Sequence, residues 1–196
     1  VELVRMAKDR GVDVTAEVTP HHLLLTEDLV ASYDPIYKVN PPLRTAEDVA
    51  ALRAALADGT IDIVATDHAP HPVEDKDCEW AAAAMGMIGL ETALPVVIET
   101  MVRPGLLDWA GVAERMSAAP ARISGIADQG RPVAAGETAN IVLVDPAATI
   151  TVSGAASASR SRNTPYEGME LPGAVVATFF RGRPTVLGGE LQLDRW

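Results

Sequence analysis

An acid and two histidines close a short β-branched run, Ile61-Asp-Ile-Val-Ala-Thr-Asp-His-Ala-Pro-His71. The run predicts a buried strand that delivers a carboxylate and imidazoles to one rim of a sheet, where parallel α/β folds put their chemistry. Asp67 stands at the strand tip. The ordinary alternative is an aspartate that caps the next helix or ends a strand in solvent. His71 follows Pro70 and belongs to the loop over the rim, and a surface histidine is its alternative. Asn40 precedes Pro41-Pro42; its amide can donate and accept at once, or simply make a turn. His21 and His22 suggest a metal, but neighbours on an extended chain point in opposite directions and cannot both face one ion. A supporting hydrogen-bonding role suits them better, and His68 is expected to pack or hydrogen-bond behind Asp67. Cys78 lies between Asp77 and Glu79, which disfavour its thiolate and a nucleophilic role.

Alternating helices and strands must position these groups. Glu2 to Arg10 reads as the end of a helix stopped by Gly11, and Val12 to Val18 as a strand. A second extended segment, Ile36 to Asn40, ends at the two prolines. Thr45 and Asp48 form a capping box that opens a helix carrying Val49, Leu52 and Leu56, and Gly59 ends it. The strand Ile61 to Ala65 comes next, then a long loop to about Gly89, in which Ala81 to Ala84 is loop or a helical turn. Beyond it lie a helix from Leu90 to Val102 and a helix capped by Asp108 with Val112 and Met116 inward, interrupted at Ala119-Pro120 before a short turn near Ile123. From about Gly130 the texture changes to strands: Asn140 to Asp145, Thr149 to Val152, Ala174 to Arg181 and Pro184 to Leu187. Residues 1–130 are thus expected to form an α/β unit and 131–196 a small β-rich one.

The composition limits the function classes. With 16 Lys+Arg against 27 Asp+Glu, the net charge of -11 repels a phosphate backbone, which argues against nucleic-acid binding. Hydrophobic residues make up 48% of the 196, enough for a sizeable core. No apolar run reaches the length of a membrane span, and the first ten residues alternate charge with apolar side chains rather than forming a signal peptide. One cysteine excludes an internal disulfide framework, so a cytoplasmic location is expected.

Three loop motifs carry a resemblance: Ala16-Glu-Val-Thr-Pro-His-His-Leu23, Lys38-Val-Asn-Pro-Pro-Leu-Arg44 and Ala65-Thr-Asp-His-Ala-Pro-His71. In this order, with Gly86-Met-Ile-Gly-Leu-Glu91, Gly136-Glu-Thr-Ala-Asn140 and Asn163-Thr-Pro-Tyr-Glu-Gly168, the chain resembles the second half of the bacterial dihydroorotases of the amidohydrolase superfamily. The resemblance implies an α/β fold: the C-terminal part of a (β/α)8 barrel, here strands six to eight, followed by part of a small β-sandwich. It implies two zinc ions and the reversible cyclisation of N-carbamoyl-L-aspartate to L-dihydroorotate in pyrimidine biosynthesis. Asp67 would be a zinc ligand and the general acid/base; Asn40, His71 and the Met85-Gly86 backbone would contact substrate. Arg44 would pair with an acid of the barrel or guide an anionic substrate.

The other metal ligands expected of the resemblance have no counterpart here. The chain is therefore expected to be a fragment, or one of two chains, inactive without the missing N-terminal half of the barrel. The resemblance also admits a homodimer and an aspartate transcarbamoylase partner. Other cyclic-amide hydrolases, allantoinase or dihydropyrimidinase, and a non-catalytic scaffold are the rival readings.

Overall fold

The computed structural model describes residues 1–192. Helix α1 (Glu2–Asp9) leads to strand β1 (Glu17–Val18), and a short helix α2 (Pro20–Leu24) comes directly after it. Thr45 caps α3 (Ala46–Asp58) through the expected box: its side chain accepts the Asp48 amide, and the Asp48 carboxylate reaches back to the Thr45 amide. Gly59 ends this helix in a left-handed conformation. Strand β2 (Ile63–Val64) then returns parallel to β1, with Glu17 opposite Ile63 and Val18 opposite Val64. This is a βαβ unit with α3 in the crossover.

The strands are shorter than the sequence suggests. Residues 12–16 carry no ladder, and Val12 is 54% exposed. The segment Ile36 to Asn40 is not a strand at all. The Asp34 side chain accepts the Ile36 amide at 2.9 Å and winds Pro35–Tyr37 into a 3-10 turn; beyond it the Lys38 carbonyl accepts the Gly86 amide instead of joining a sheet. Only two parallel strands therefore form where three were expected.

The long loop after β2 contains a helical turn, α4 (Val73–Lys76). Helix α5 (Ala93–Val97) begins later than Leu90 and continues through a π turn to Val102. Asp108 caps α6 (Trp109–Ala113), accepting the Gly111 amide at 2.7 Å. Ala119-Pro120 does not break the helical path: a π turn over Glu114–Ala118 joins α6 to α7 (Ala119–Ile123). Proline lacks an amide hydrogen and crowds the carbonyl four residues back, and a widened turn accommodates both defects.

An antiparallel sheet closes the chain in the order β3 (Ile141–Thr151), β4 (Glu170–Phe180), β5 (Arg183–Leu187), β6 (Glu190–Leu191). The two strands expected at 140–145 and 149–152 are one strand, β3, whose register against β4 shifts between Asp145 and Thr149. The excess residues bulge there, where the Asp145 carboxylate accepts the Ala147 amide at 2.9 Å.

Helix α5 lies between two cores. Val97 joins Val18, Leu23, Leu56, Val64, Met101 and Val112 under the βαβ unit. Val96, a third of a turn away, joins Leu25, Val39, Leu43, Met87, Tyr166 and Leu171 beneath the loops and β4. Both valines are fully buried. The second core ties the loops over β2 to the antiparallel sheet, so the loops that carry the polar groups rest on packed side chains. Among the described residues no helix is long and apolar enough to cross a membrane.

Candidate functional site

Strand β2 ends at Val64, and three residues on Asp67 takes a left-handed backbone conformation with φ 48°. Aspartate tolerates that region better than most residues, and the turn takes it out of line with the strand. Its side chain is exposed and has no hydrogen-bond or ion-pair partner among the described residues. A carboxylate left free at a strand end is available to a proton or a cation.

The four residues after Asp67 are fastened to the segment 85–90. His68 bridges Met87 in parallel, and its Nδ1 accepts the Gly89 and Leu90 amides at 3.1 and 3.3 Å. A nitrogen that accepts two N–H groups carries no proton, so the proton of that ring is on Nε2. The Ala69 amide donates to the Met87 carbonyl at 3.0 Å. The His71 Nε2 lies 3.0 Å from the Met85 carbonyl. Met85 itself is exposed, whereas Gly86 is buried with φ 129°, and a Cβ there would stand 2.5 Å from the Ala69 Cβ and 3.1 Å from the His71 Nε2. Only glycine lets these two loops touch.

Three further side chains complete the fastening, and no sequence signal singled them out. Asn163, 5% exposed, donates its amide to the Ala69 carbonyl at 2.9 Å and the Gly86 carbonyl at 3.3 Å, and its Oδ1 accepts the His71 amide at 3.5 Å. It opens the Asn163-Thr-Pro-Tyr-Glu-Gly168 motif, visible as a motif but silent about its partner. Lys76, 8% exposed, donates to the carbonyls of Gly86, Ala84 and Lys38 at 2.9, 3.0 and 3.4 Å. Lys38 donates to the Trp80 and Ala83 carbonyls at 2.7 and 2.6 Å. Burial pushes the Lys76 ammonium below the usual lysine range, and the Lys38 charge adds to the effect.

Asn40 sits at a cis peptide with Pro41, exposed. His22 holds this turn: its Nε2 donates to the Pro41 and Pro42 carbonyls at 3.1 and 3.2 Å, and its Nδ1 accepts the Thr19 hydroxyl at 2.7 Å. Both ring nitrogens are occupied. His21 is 2% exposed, its Nε2 has no partner, and burial, with a smaller push from His22, lowers its pKa to about 3. Arg44 takes the ordinary role, pairing with Asp48 at 3.4 Å.

His71, Met85 and Gly86 are therefore in contact, and Asn40 lies two residues from Lys38, whose carbonyl holds Gly86. Asp67 reaches this group only along the chain, with no bond to the other four. Among the described residues no three His, Cys, Asp or Glu side chains gather into a metal site. The Asp67 carboxylate is chemically suited to one coordination position of a zinc ion. His22 has no nitrogen to offer, whereas His68 and His71 each keep one ring nitrogen that is not engaged.

Residues 3–185 match the amidohydrolase family. The chain is 72% identical over 191 residues to a protein from Streptomyces coelicolor named dihydroorotase, covering 97% of this chain and 45% of that protein. A protein of the same name from Mycobacterium tuberculosis is 58% identical, covering 98% of this chain and 45% of the relative. Among solved structures, the L-hydantoinase (dihydropyrimidinase) of Arthrobacter aurescens matches with a TM-score of 0.90 at 34% identity, covering 97% of this chain and 43% of that one. The chain spans less than half the length of these relatives.

Proposed function

The chain belongs to the amidohydrolase family, and we propose on that premise that it is the C-terminal portion of a dihydroorotase. Strands β1 and β2 would be neighbouring strands of a (β/α)8 barrel, and β3 to β6 part of a small sandwich spanning roughly residues 131–196. Two features support this. The face of the strand pair away from the helices carries the exposed Glu17 and the half-buried Ile63, and the antiparallel sheet leaves Val142, Val176 and Phe180 exposed. Both surfaces suit further polypeptide.

One observation carries the reading: a free carboxylate, Asp67, stands four residues before a histidine pinned to the Met85–Gly86 backbone. Zinc, when bound by Asp67 together with ligands from outside this segment, would supply hydroxide at neutral pH. Asp67 would take the proton of the attacking water. As that oxygen bonds to the ring carbonyl carbon and the carbon–nitrogen bond breaks, Asp67 would return the proton to the departing nitrogen, which leaves as the terminal ureido NH2. His71, its Nε2 occupied by Met85, would present Nδ1–H as an imidazolium to the substrate carboxylate. Asn40 would donate to and accept from the ureide edge. A cavity of about 450 Å3 lies beside His71, lined by the cations Lys76, Arg160 and Arg162 and by the acids Asp34 and Asp77.

The test is turnover by the full-length polypeptide that carries this segment, with dihydroorotate, allantoin and dihydrouracil compared side by side. Preference for dihydroorotate supports the reading. Preference for either of the others assigns the chain to a sister hydrolase such as the hydantoinase it resembles in fold. Turnover of none, with binding to aspartate transcarbamoylase, would make it a scaffold.

A further inference from the structure

Lys76 is a buried cation without an acid. It forms no ion pair among the described residues, and its ammonium points into three backbone carbonyls, those of Lys38, Ala84 and Gly86. An apolar side chain would fill such a place without the cost of removing a charge from water. What an apolar side chain would not do is hold carbonyl oxygens to a point. The three oxygens belong to the peptides that frame Met85–Gly86, and the Gly86 amide donates at 2.9 Å to the same Lys38 carbonyl that Lys76 grips.

These contacts set the orientation of one peptide group. The peptide between Met85 and Gly86 has its carbonyl on His71 Nε2 and its N–H on Lys38. The next carbonyl, that of Gly86, is held by Lys76 and Asn163. With the Gly86 carbonyl and the Lys38 carbonyl both fixed by one ammonium, the Met85 carbonyl has one direction left, toward the imidazole.

We infer that Lys76 is a positioning residue for the proposed site: its ammonium sets the Met85–Gly86 peptide plane that holds the His71 Nε2–H and so turns the Nδ1–H of the imidazolium toward an anionic substrate. The inference rests on the dihydroorotase reading only for the identity of that substrate. Lys38 has a different task, since its own ammonium serves the carbonyls of Trp80, Ala81 and Ala83, upstream of the peptide in question.

The test uses the full-length protein labelled with 15N at histidine and lysine. In the unsubstituted protein the His71 Nε2–H and the Lys76 ammonium should both give slowly exchanging proton signals. In Lys76→Gln the His71 signal should broaden into exchange with water, Lys76→Arg should restore it, and Lys38→Met should leave it in place. With dihydroorotate, Lys76→Gln should raise KM about tenfold while kcat stays within about twofold, the pattern of lost binding rather than lost chemistry. A His71 signal unchanged in Lys76→Gln, or lost equally in Lys38→Met, overturns the inference. So does a Lys76 ammonium that exchanges as freely as a surface lysine, a result that needs no variant to fold. Absence of turnover in the unsubstituted protein would overturn the enzymatic reading and leave the histidine and lysine signals to decide this one.

Discussion

The Nε2 atom of His71 lies 3.0 Å from the carbonyl oxygen of Met85. A carbonyl accepts and never donates, so Nε2 carries a proton and the second nitrogen is left without this partner. Fourteen residues separate the two along the chain. The contact exists because Gly86 leaves room for the ring and Asn163 draws the Ala69 and Gly86 carbonyls toward each other.

Removing the negative charge at position 67 isolates the proposed chemistry from the fold. Asn tolerates the left-handed backbone of this residue, and the exposed carboxylate makes no bond that Asp67→Asn could break. In the full-length protein we expect turnover of dihydroorotate to fall by about 10²–10⁴-fold. Unfolding free energy should change by no more than about 0.5 kcal/mol. Undiminished turnover would remove Asp67 from the reaction.

His71 is expected to discriminate among substrates rather than to drive the reaction. A hydrogen bond to a charged group contributes about 1.5–3 kcal/mol, so His71→Ala should raise KM for dihydroorotate by about tenfold or more. Dihydrouracil lacks the carboxylate, and its KM should scarcely change. Equal losses for both would mean that the imidazole serves the loop and not the ligand.

Much of this arrangement is legible in the residues alone. The capping box at Thr45 and the strand over Ile63–Val64 rest on local rules: a hydroxyl three residues before an acid, and a β-branched run. His21 and His22 do not lie on the extended chain that alternation assumes; both lie in the short helix α2, because Thr19 caps a turn that Pro20 opens. Ile36 to Asn40 misleads because an apolar and polar alternation reads as a strand whether or not a neighbour exists to pair with it. Here the Asp34 side chain claims the Ile36 amide and Gly86 claims the Lys38 carbonyl. Lys76 and Asn163 are not legible as site residues. Their partners are backbone carbonyls brought close by the tertiary fold, and a backbone carbonyl has no signature in a sequence. Lys76 in particular stands among Glu74, Asp75 and Asp77, where a solvated face is the natural expectation, yet it is 8% exposed.

Gly86 offers a steric test of the contact between the two loops. Alanine there would take a backbone with φ 129° and push its Cβ to 2.5 Å from that of Ala69. Gly86→Ala should cost about 1–3 kcal/mol in strain and displace His71, so stability and KM should worsen together. Amide exchange at Ala69, whose N–H donates to Met87, reports the separation of the loops directly. Unaltered exchange and activity would mean that the loops tolerate a wider gap than the one described.

Acid should weaken the fold through His21 in a defined window. Burial, with a smaller contribution from His22, lowers its pKa from 6.5 to about 3, so the folded protein holds the ring neutral where the unfolded chain binds a proton. A group of this kind stabilises fully above its unfolded pKa, and the stability is lost as pH falls below 6.5 toward 3. The slope is about 1.4 kcal/mol per pH unit, which amounts to about 2 kcal/mol between pH 7 and pH 5. Asp58, held down to about 2 by hydrogen bonds from Thr60 and Arg5, titrates below that interval and does not confuse it. His21→Leu removes the titrating ring and the unpartnered Nε2 together, so its urea midpoint should be nearly the same at both pH values. A midpoint that still falls by as much as in the unsubstituted protein would assign the acid sensitivity to another group.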